Sequence, residues 1–211
     1  MSKQLFPKWA NKLPIIVLLT LTITLGLIVH LFWYWFSPQH LNVGYQPTQP
    51  IPFSHATHVS KVGLDCRYCH SNVEKAAHSN IPSAETCMNC HKNVKTDSPH
   101  IKKLTEHYNS NTPIEWVKVH MLPDYVYFNH SAHVNVGVSC VQCHGKVNKM
   151  DVVYQSKSLS MSWCLECHRN PENYLWPKDK ITNLDWKPKD QLKLGLELKE
   201  TYNVNPGEAC S

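Results

Sequence analysis

The sequence predicts a mainly irregular chain with short α-helices, carried on one N-terminal transmembrane helix and held together by something other than an aliphatic core. Three observations predict it. Pro14 to Phe36 runs 23 residues without Asp, Glu, Lys or Arg. That run holds 17 apolar side chains, and the other 188 positions are only about 38% apolar against 42% for the whole chain, below the usual globular share. Nine Cys and fourteen His are many for 211 residues, while seven Gly and 10% aromatics exclude collagen and simple disorder.

In chain order, residues 1–12 form a cytoplasmic N-terminus and 13–36 the transmembrane anchor. At about 1.5 Å per residue the apolar run crosses a hydrocarbon layer of roughly 30 Å. Lys3, Lys8 and Lys12 precede it, no Lys or Arg follows until Lys61, and Trp33, Tyr34 and Trp35 form an aromatic belt at its far end. The positive-inside bias then puts residues 37–211 on the outer, periplasmic side of a bacterial cytoplasmic membrane. A cleaved signal peptide fits less well, because the run exceeds an h-region and ends in Trp-Phe-Ser-Pro rather than an A-x-A-like site. His30, near the outer interface, is inexpensive there as a neutral imidazole.

Eight of the nine Cys fall into four copies of one pattern: Cys66-Arg-Tyr-Cys69-His70, Cys87-Met-Asn-Cys90-His91, Cys140-Val-Gln-Cys143-His144 and Cys164-Leu-Glu-Cys167-His168. Residue frequencies alone would give about 0.03 such matches. C-x-x-C-H reads as c-type haem attachment. Residues three apart on a helical turn share a face, so both thiols reach the two vinyl groups of one porphyrin, and the next residue presents its imidazole to the iron. Zinc ribbons, thioredoxin-like motifs and disulfides would not demand a His after every second Cys. Each motif therefore specifies one haem c and its proximal ligand: His70, His91, His144 or His168.

A linker, 37–52, leads into an internal repeat. Phe53-Ser-His55-Ala-Thr-His58 stands seven residues before Cys66, and Phe128-Asn-His130-Ser-Ala-His133 stands six before Cys140. Each is followed by a second attachment motif, with 17 residues between Cys69 and Cys87 and 20 between Cys143 and Cys164. This predicts tandem dihaem modules over 53–93 and 128–170. His55, His58, His130 and His133 supply four distal imidazoles for four irons, which predicts six-coordinate, low-potential iron without an open substrate position. Which imidazole faces which iron is left open by the spacing. The spacer 94–127 carries His100, His107 and His120; the last, among apolar and aromatic neighbours, is a further candidate iron ligand. Met161 reads as a packing residue before it reads as a ligand.

The tail 171–211 is punctuated by Lys and Trp, shows a helical stretch near Gln191–Tyr202 and ends at Cys210-Ser211. An unpaired Cys is unusual in an oxidising compartment. The expectation is that Cys210 opens a fifth haem motif cut off at Ser211. Formal net charge is +5; two propionates per haem would turn this to about −3, so basicity gives no reason to expect a nucleic-acid partner. With haems in place of an aliphatic core, the apo chain should fail to fold.

F-x-H-x-x-H ahead of C-x-x-C-H resembles the class III multihaem cytochromes c. The single anchor, the two modules, the stretch VKVHMLPDYVYFNHSAH from Val117 to His133, the run MSWCLECHRNPE from Met161 to Glu172 and the tail leading to Cys210 resemble the pentahaem cytochrome subunit of alternative complex III, over residues 14–211. The resemblance implies a role in electron transport within a bacterial quinol-oxidising membrane complex. Its partners would be an iron–sulfur subunit, polytopic quinol-binding subunits and a monohaem cytochrome c, with electrons leaving toward a periplasmic cytochrome or a haem–copper oxidase. Such a chain would be an electron-transfer subunit rather than a catalyst on its own. Four complete motifs rather than five also fit another reading, a stand-alone tetrahaem quinol dehydrogenase that feeds a periplasmic reductase.

Overall fold

The computed structural model describes residues 7–37 and 42–208. Lys3, His40 and Cys210, with the fifth motif expected there, lie outside the described residues. The chain divides into two compact units, Met1–Leu41 and Asn42–Ser211.

In the first unit a 3-10 turn, Lys8–Lys12, leads into helix α1, Leu13–Phe36. Pro14 falls in the first turn, where its missing N–H breaks no helical bond. The helix is long and apolar enough to cross a membrane, and its apolar side chains are exposed all round, as a lipid-facing helix requires. Thr20 and Thr22 donate their hydroxyls to the carbonyls of Ile16 and Leu18 at 2.8 and 2.9 Å, so neither presents an unpaired donor to hydrocarbon. His30 stacks on Tyr34 one turn later, with ring centres 6.4 Å apart.

The second unit contains seven α-helices among the described residues: α2 Cys66–Cys69, α3 Ala84–His91, α4 Pro99–Asn109, α5 His130–Val134, α6 Cys140–His144, α7 Met161–Arg169 and α8 Gln191–Thr201. The described residues include no strand, only an isolated bridge between Val138 and Leu175. The expected fold class, short helices joined by irregular chain, is what the structure shows. The helix expected near Gln191–Tyr202 is α8, capped by the Asp190 carboxylate, which accepts from the Lys193 amide at 3.0 Å.

Buried apolar side chains gather mainly in two places, with Val134, Met150 and Leu159 buried elsewhere. Met88 of α3 and Leu104 of α4 close on Ile51, flanked by Ile101, Ile114 and Trp116. The tail makes the other: Leu175, Trp176, Ile181, Leu184 and Leu198 are buried. Helix α8 approaches the 3-10 turn Pro171–Asn173 so closely that a Cβ on Gly195 would collide with the Glu172 carbonyl. The Cys87 motif supplies Met88 and Cys87 to the first core, while Cys66, Cys69, Cys140, Cys143, Cys164 and Cys167 are half-buried.

Candidate haem centres

Each C-x-x-C-H lies on a helical turn: on α2 with His70 as the next residue, and within α3, α6 and α7. The residues before these helices are Asp65, Ser83, Ser139 and Ser160, all in extended conformation, as residue types favoured at helix N-caps. Cys and His are therefore presented at the spacing that thioether attachment and proximal ligation need.

The two H-x-x-H segments are built alike. Phe53 packs edge-on to His55 at 4.9 Å and face-on to His58 at 4.3 Å. Phe128 repeats this with His130 at 4.8 Å and His133 at 4.6 Å. Each aromatic ring thus sets the directions of both imidazoles. One extra residue before the first Cys of the first repeat is absorbed as a π-helical turn, Ala56–Lys61, where the second repeat has the α-helical turn of α5.

The segments are also anchored crosswise. The Ala56 amide donates to the Met150 carbonyl, beyond the Cys140 motif, and the His130 amide donates to the Ala77 carbonyl, beyond the Cys66 motif. The Cys66 and Cys140 side chains are neighbours, so the first attachment sites of the two repeats lie together. The adjacent Cys66 thiol and then burial push the Cys140 thiol up; burial pushes Cys143 up to about 12.

The imidazoles fall into an inner group and two outer pairs. Outer ring centres lie 6.1 Å apart with planes inclined at 60° for His58 and His91, and 6.0 Å apart at 37° for His133 and His168. In the inner group, His130 and His144 are nearly parallel, 10° apart, with centres at 6.4 Å. Metal–imidazole bonds of about 2.0 Å on both sides of one ion hold ring centres about 6 Å apart, so these three separations fit an iron with two axial imidazoles. His55 neighbours His70. His120 is brought into the same group against His144, at 4.4 Å and 79°.

Second partners leave Nε2 available. Nδ1 meets a backbone carbonyl in His58 (Ser54, 2.8 Å), His70 (Asn80, 2.8 Å), His91 (Val94, 3.0 Å), His130 (Ala77, 2.8 Å), His133 (Asn129, 2.8 Å) and His168 (Gly207). A carbonyl can only accept, so it fixes the proton on Nδ1 and the lone pair on Nε2. His144 Nδ1 instead lies 3.2 Å from His120 Nε2. Among the described residues, His55 Nδ1 is buried with no protein partner. Burial first, then the neighbouring His70 and His58, lowers His55 to about 4. Burial, then His120 and His130, lowers His144 to about 3. Burial also lowers His120 and His133. These four stay neutral near pH 7, the form that offers a lone pair to a metal.

A cavity of about 560 Å³ opens beside His91, lined also by Met88, Lys92, Lys102 and Thr105. His107 lines a second, of about 480 Å³, on the far side of α4, with Nδ1 3.2 Å from the Thr112 hydroxyl. Met161 is exposed at the start of α7. Spacing could not reveal the crosswise anchoring or the contact between Cys66 and Cys140, because both join residues more than 50 positions apart.

The chain matches the family described as cytochrome c7 and related cytochrome c twice, over residues 51–110 and 126–191. It is also similar to a protein of Nitratidesulfovibrio vulgaris named the multihaem cytochrome c subunit of menaquinone reductase, with 32% identity over 172 residues, 71% of this chain and 80% of the relative. Haem c is attached through thioether bonds in this family, and the Cys66, Cys87, Cys140 and Cys164 motifs have the spacing for several. With short helices, no strand among the described residues and paired imidazoles at iron-bridging separation, the chain is a multihaem cytochrome c and belongs to the family of cytochrome c7 and related cytochromes c.

Proposed function

We propose that this chain is the membrane-anchored electron-carrying subunit of a complex that exchanges electrons with the quinone pool, with α1 as anchor and the haem-bearing unit on the outer face. In this reading His58 and His91 would hold one haem, His133 and His168 a second, His130 and His144 a third, and His55 and His70 the fourth. Haem c, when bound, supplies a one-electron couple. The opposed imidazole pairs carry the reading: two imidazole nitrogens offered to each haem would suit electron transfer and would leave no place for a substrate. Contact between Cys66 and Cys140 supports passage between the two inner sites.

The finer assignment is the cytochrome subunit of alternative complex III, oxidising quinol alongside iron–sulfur, polytopic and monohaem subunits and passing electrons to a periplasmic cytochrome or haem–copper oxidase. One helix builds a poor quinone pocket alone, which supports membrane partners. The name of the N. vulgaris relative favours a second direction, inward from the periplasm to menaquinone.

Mild detergent extraction tests the proposal. Polytopic and iron–sulfur subunits should co-purify, every haem should be low-spin and inert to carbon monoxide, and menaquinol should reduce the haems. Reoxidation of the haems by menaquinone would mark the inward direction instead. A small homo-oligomer that oxidises quinol unaided would overturn the partner assignment, and a high-spin iron would overturn the closed ligand set. His58→Ala should open one iron to carbon monoxide and leave the other three low-spin.

A further inference from the structure

His144 is the one imidazole of the proposed ligand set whose Nδ1 meets a side chain, where six others meet a backbone carbonyl. If Nε2 of His144 binds iron, its proton is on Nδ1, which donates to His120 Nε2, and His120 carries its own proton on Nδ1. The 4.4 Å between these ring centres is too short to admit an iron, whereas His130 stands parallel to His144 at 6.4 Å.

His120 is held in place by two glutamines of other segments. Gln49 exchanges two hydrogen bonds of 2.9 Å with the backbone of Val117, and Gln155 accepts from the Met121 amide at 2.8 Å. Gln155 is wholly buried; its side-chain amide donates to the Lys157 carbonyl at 3.0 Å, and its backbone pairs with Gly44 and Tyr45 at 2.8 and 3.0 Å. The stretch from Val117 to Met121 is thus pinned at both ends, with His120 beside the second pin.

We infer that His120 is not an axial ligand but a positioning residue for the ligand His144: it accepts the Nδ1–H hydrogen bond, fixes the plane of that imidazole and makes it more electron-donating. Outer partners of this kind orient a ligating His and raise its basicity, and hydrogen bonding around a haem is one of the levers on its potential. A more basic ligand favours ferric iron, so the hydrogen bond lowers the potential of this one centre. The inference rests on the reading that His144 binds iron.

The test uses the holoprotein extracted with its membrane partners. His120→Leu removes the acceptor, and His120→Gln returns an oxygen near the place of Nε2. Both variants should keep the wild-type haem count by intact mass and remain low-spin. In His120→Leu one midpoint should rise by about 59 mV, equivalent to a tenfold change in the ratio of oxidised to reduced iron, and His120→Gln should restore most of it. Unmoved midpoints in a fully haem-loaded His120→Leu protein overturn the inference. So does a high-spin, carbon monoxide-binding iron in that variant, which would make His120 the ligand itself. If His120→Leu does not accumulate, His120→Glu must lower the same midpoint, and a midpoint left in place overturns the inference. A wild-type peptide spanning Cys140–His144 without haem would instead defeat the ligand reading beneath it.

Discussion

His70 and His144 hold equivalent places in the two repeats, yet His70 Nδ1 meets the Asn80 carbonyl while His144 Nδ1 meets another imidazole. The outer pairs keep the same separation, 6.1 Å between ring centres in the first repeat and 6.0 Å in the second. Phe53 and Phe128 make the same paired contacts. What the duplication copies is the geometry that would hold iron. The groups around that geometry are where the repeats differ, and hydrogen bonding and burial there are what tune a haem. A chain can in this way keep several similar centres and still give them different potentials.

The strongest way to break the comparison is to empty one inner site. Cys66→Ser with Cys69→Ser, or Cys140→Ser with Cys143→Ser, should each remove one haem by intact mass. Because Cys66 and Cys140 touch and the H-x-x-H segments are anchored crosswise, either loss should expose the other inner site. Losing a bound cofactor in this way belongs among the largest single-site effects, above about 4 kcal/mol. Emptying the outer site with Cys87→Ser and Cys90→Ser should cost less, since Met88, Leu104 and Ile51 form a protein core beside it. Thermal melts followed at the Soret band rank the three; equal melts for inner and outer variants would remove the special standing of the centre.

Much of this arrangement was legible in the sequence. Four C-x-x-C-H motifs and two F-x-H-x-x-H motifs contain their own geometry, because the residues they position lie within one helical turn of each other. The seven-against-six spacing before Cys66 and Cys140 was legible as an insertion, but not its accommodation as a π-helical turn. His120 was legible as an imidazole among apolar neighbours. Its place against Nδ1 of His144 was not, because it depends on Gln49 and Gln155, which lie 71 and 35 positions from His120. The tail was likewise unreadable as a partner of the second repeat: the Trp176 amide donates to Gly137, the Ser139 hydroxyl to Ile181, and Lys146 and Lys149 meet Asp185. Long-range contacts of this kind leave no period or spacing behind.

A smaller perturbation addresses that tail. Gly195→Ala would drive a methyl group into the Glu172 carbonyl, an overpacking cost of about 1–3 kcal/mol. The helix propensity gained over Gly offsets roughly 1 kcal/mol of it. The net loss should reach at most about 2 kcal/mol, read as a lower melting temperature with haem count and spectra unchanged. Gly63, near the end of the first repeat's π-helical turn, has φ +83° and open space around its Cα, so Gly63→Ala adds conformational strain alone, about 1–2 kcal/mol. The two variants separate crowding by the tail from strain in the turn.

The smallest expected effect is in acid, where the residues before Cys66 and Cys140 part company. Asp65 accepts from the Arg67 amide at 2.9 Å, from the Arg67 guanidinium at 2.8 and 3.1 Å, and from Thr182 at 2.9 Å. Its counterpart Ser139 has no charge to lose. The Arg67 hydrogen bond is the chief cause that lowers Asp65 from 3.8 to about 2. The unfolded chain therefore binds the proton first as pH falls, so the stabilisation is complete above pH 3.8 and is lost between 3.8 and about 2. Both side chains are about two-fifths exposed, and screening by water holds the contribution below about 1 kcal/mol. Asp65→Asn keeps a good N-cap and removes only the charge. It should melt slightly below wild type at pH 7 and together with it near pH 2, whereas Ser139→Ala should show a pH-independent deficit. A gap between Asp65→Asn and wild type that persists at pH 2 would assign the role of Asp65 to shape rather than charge.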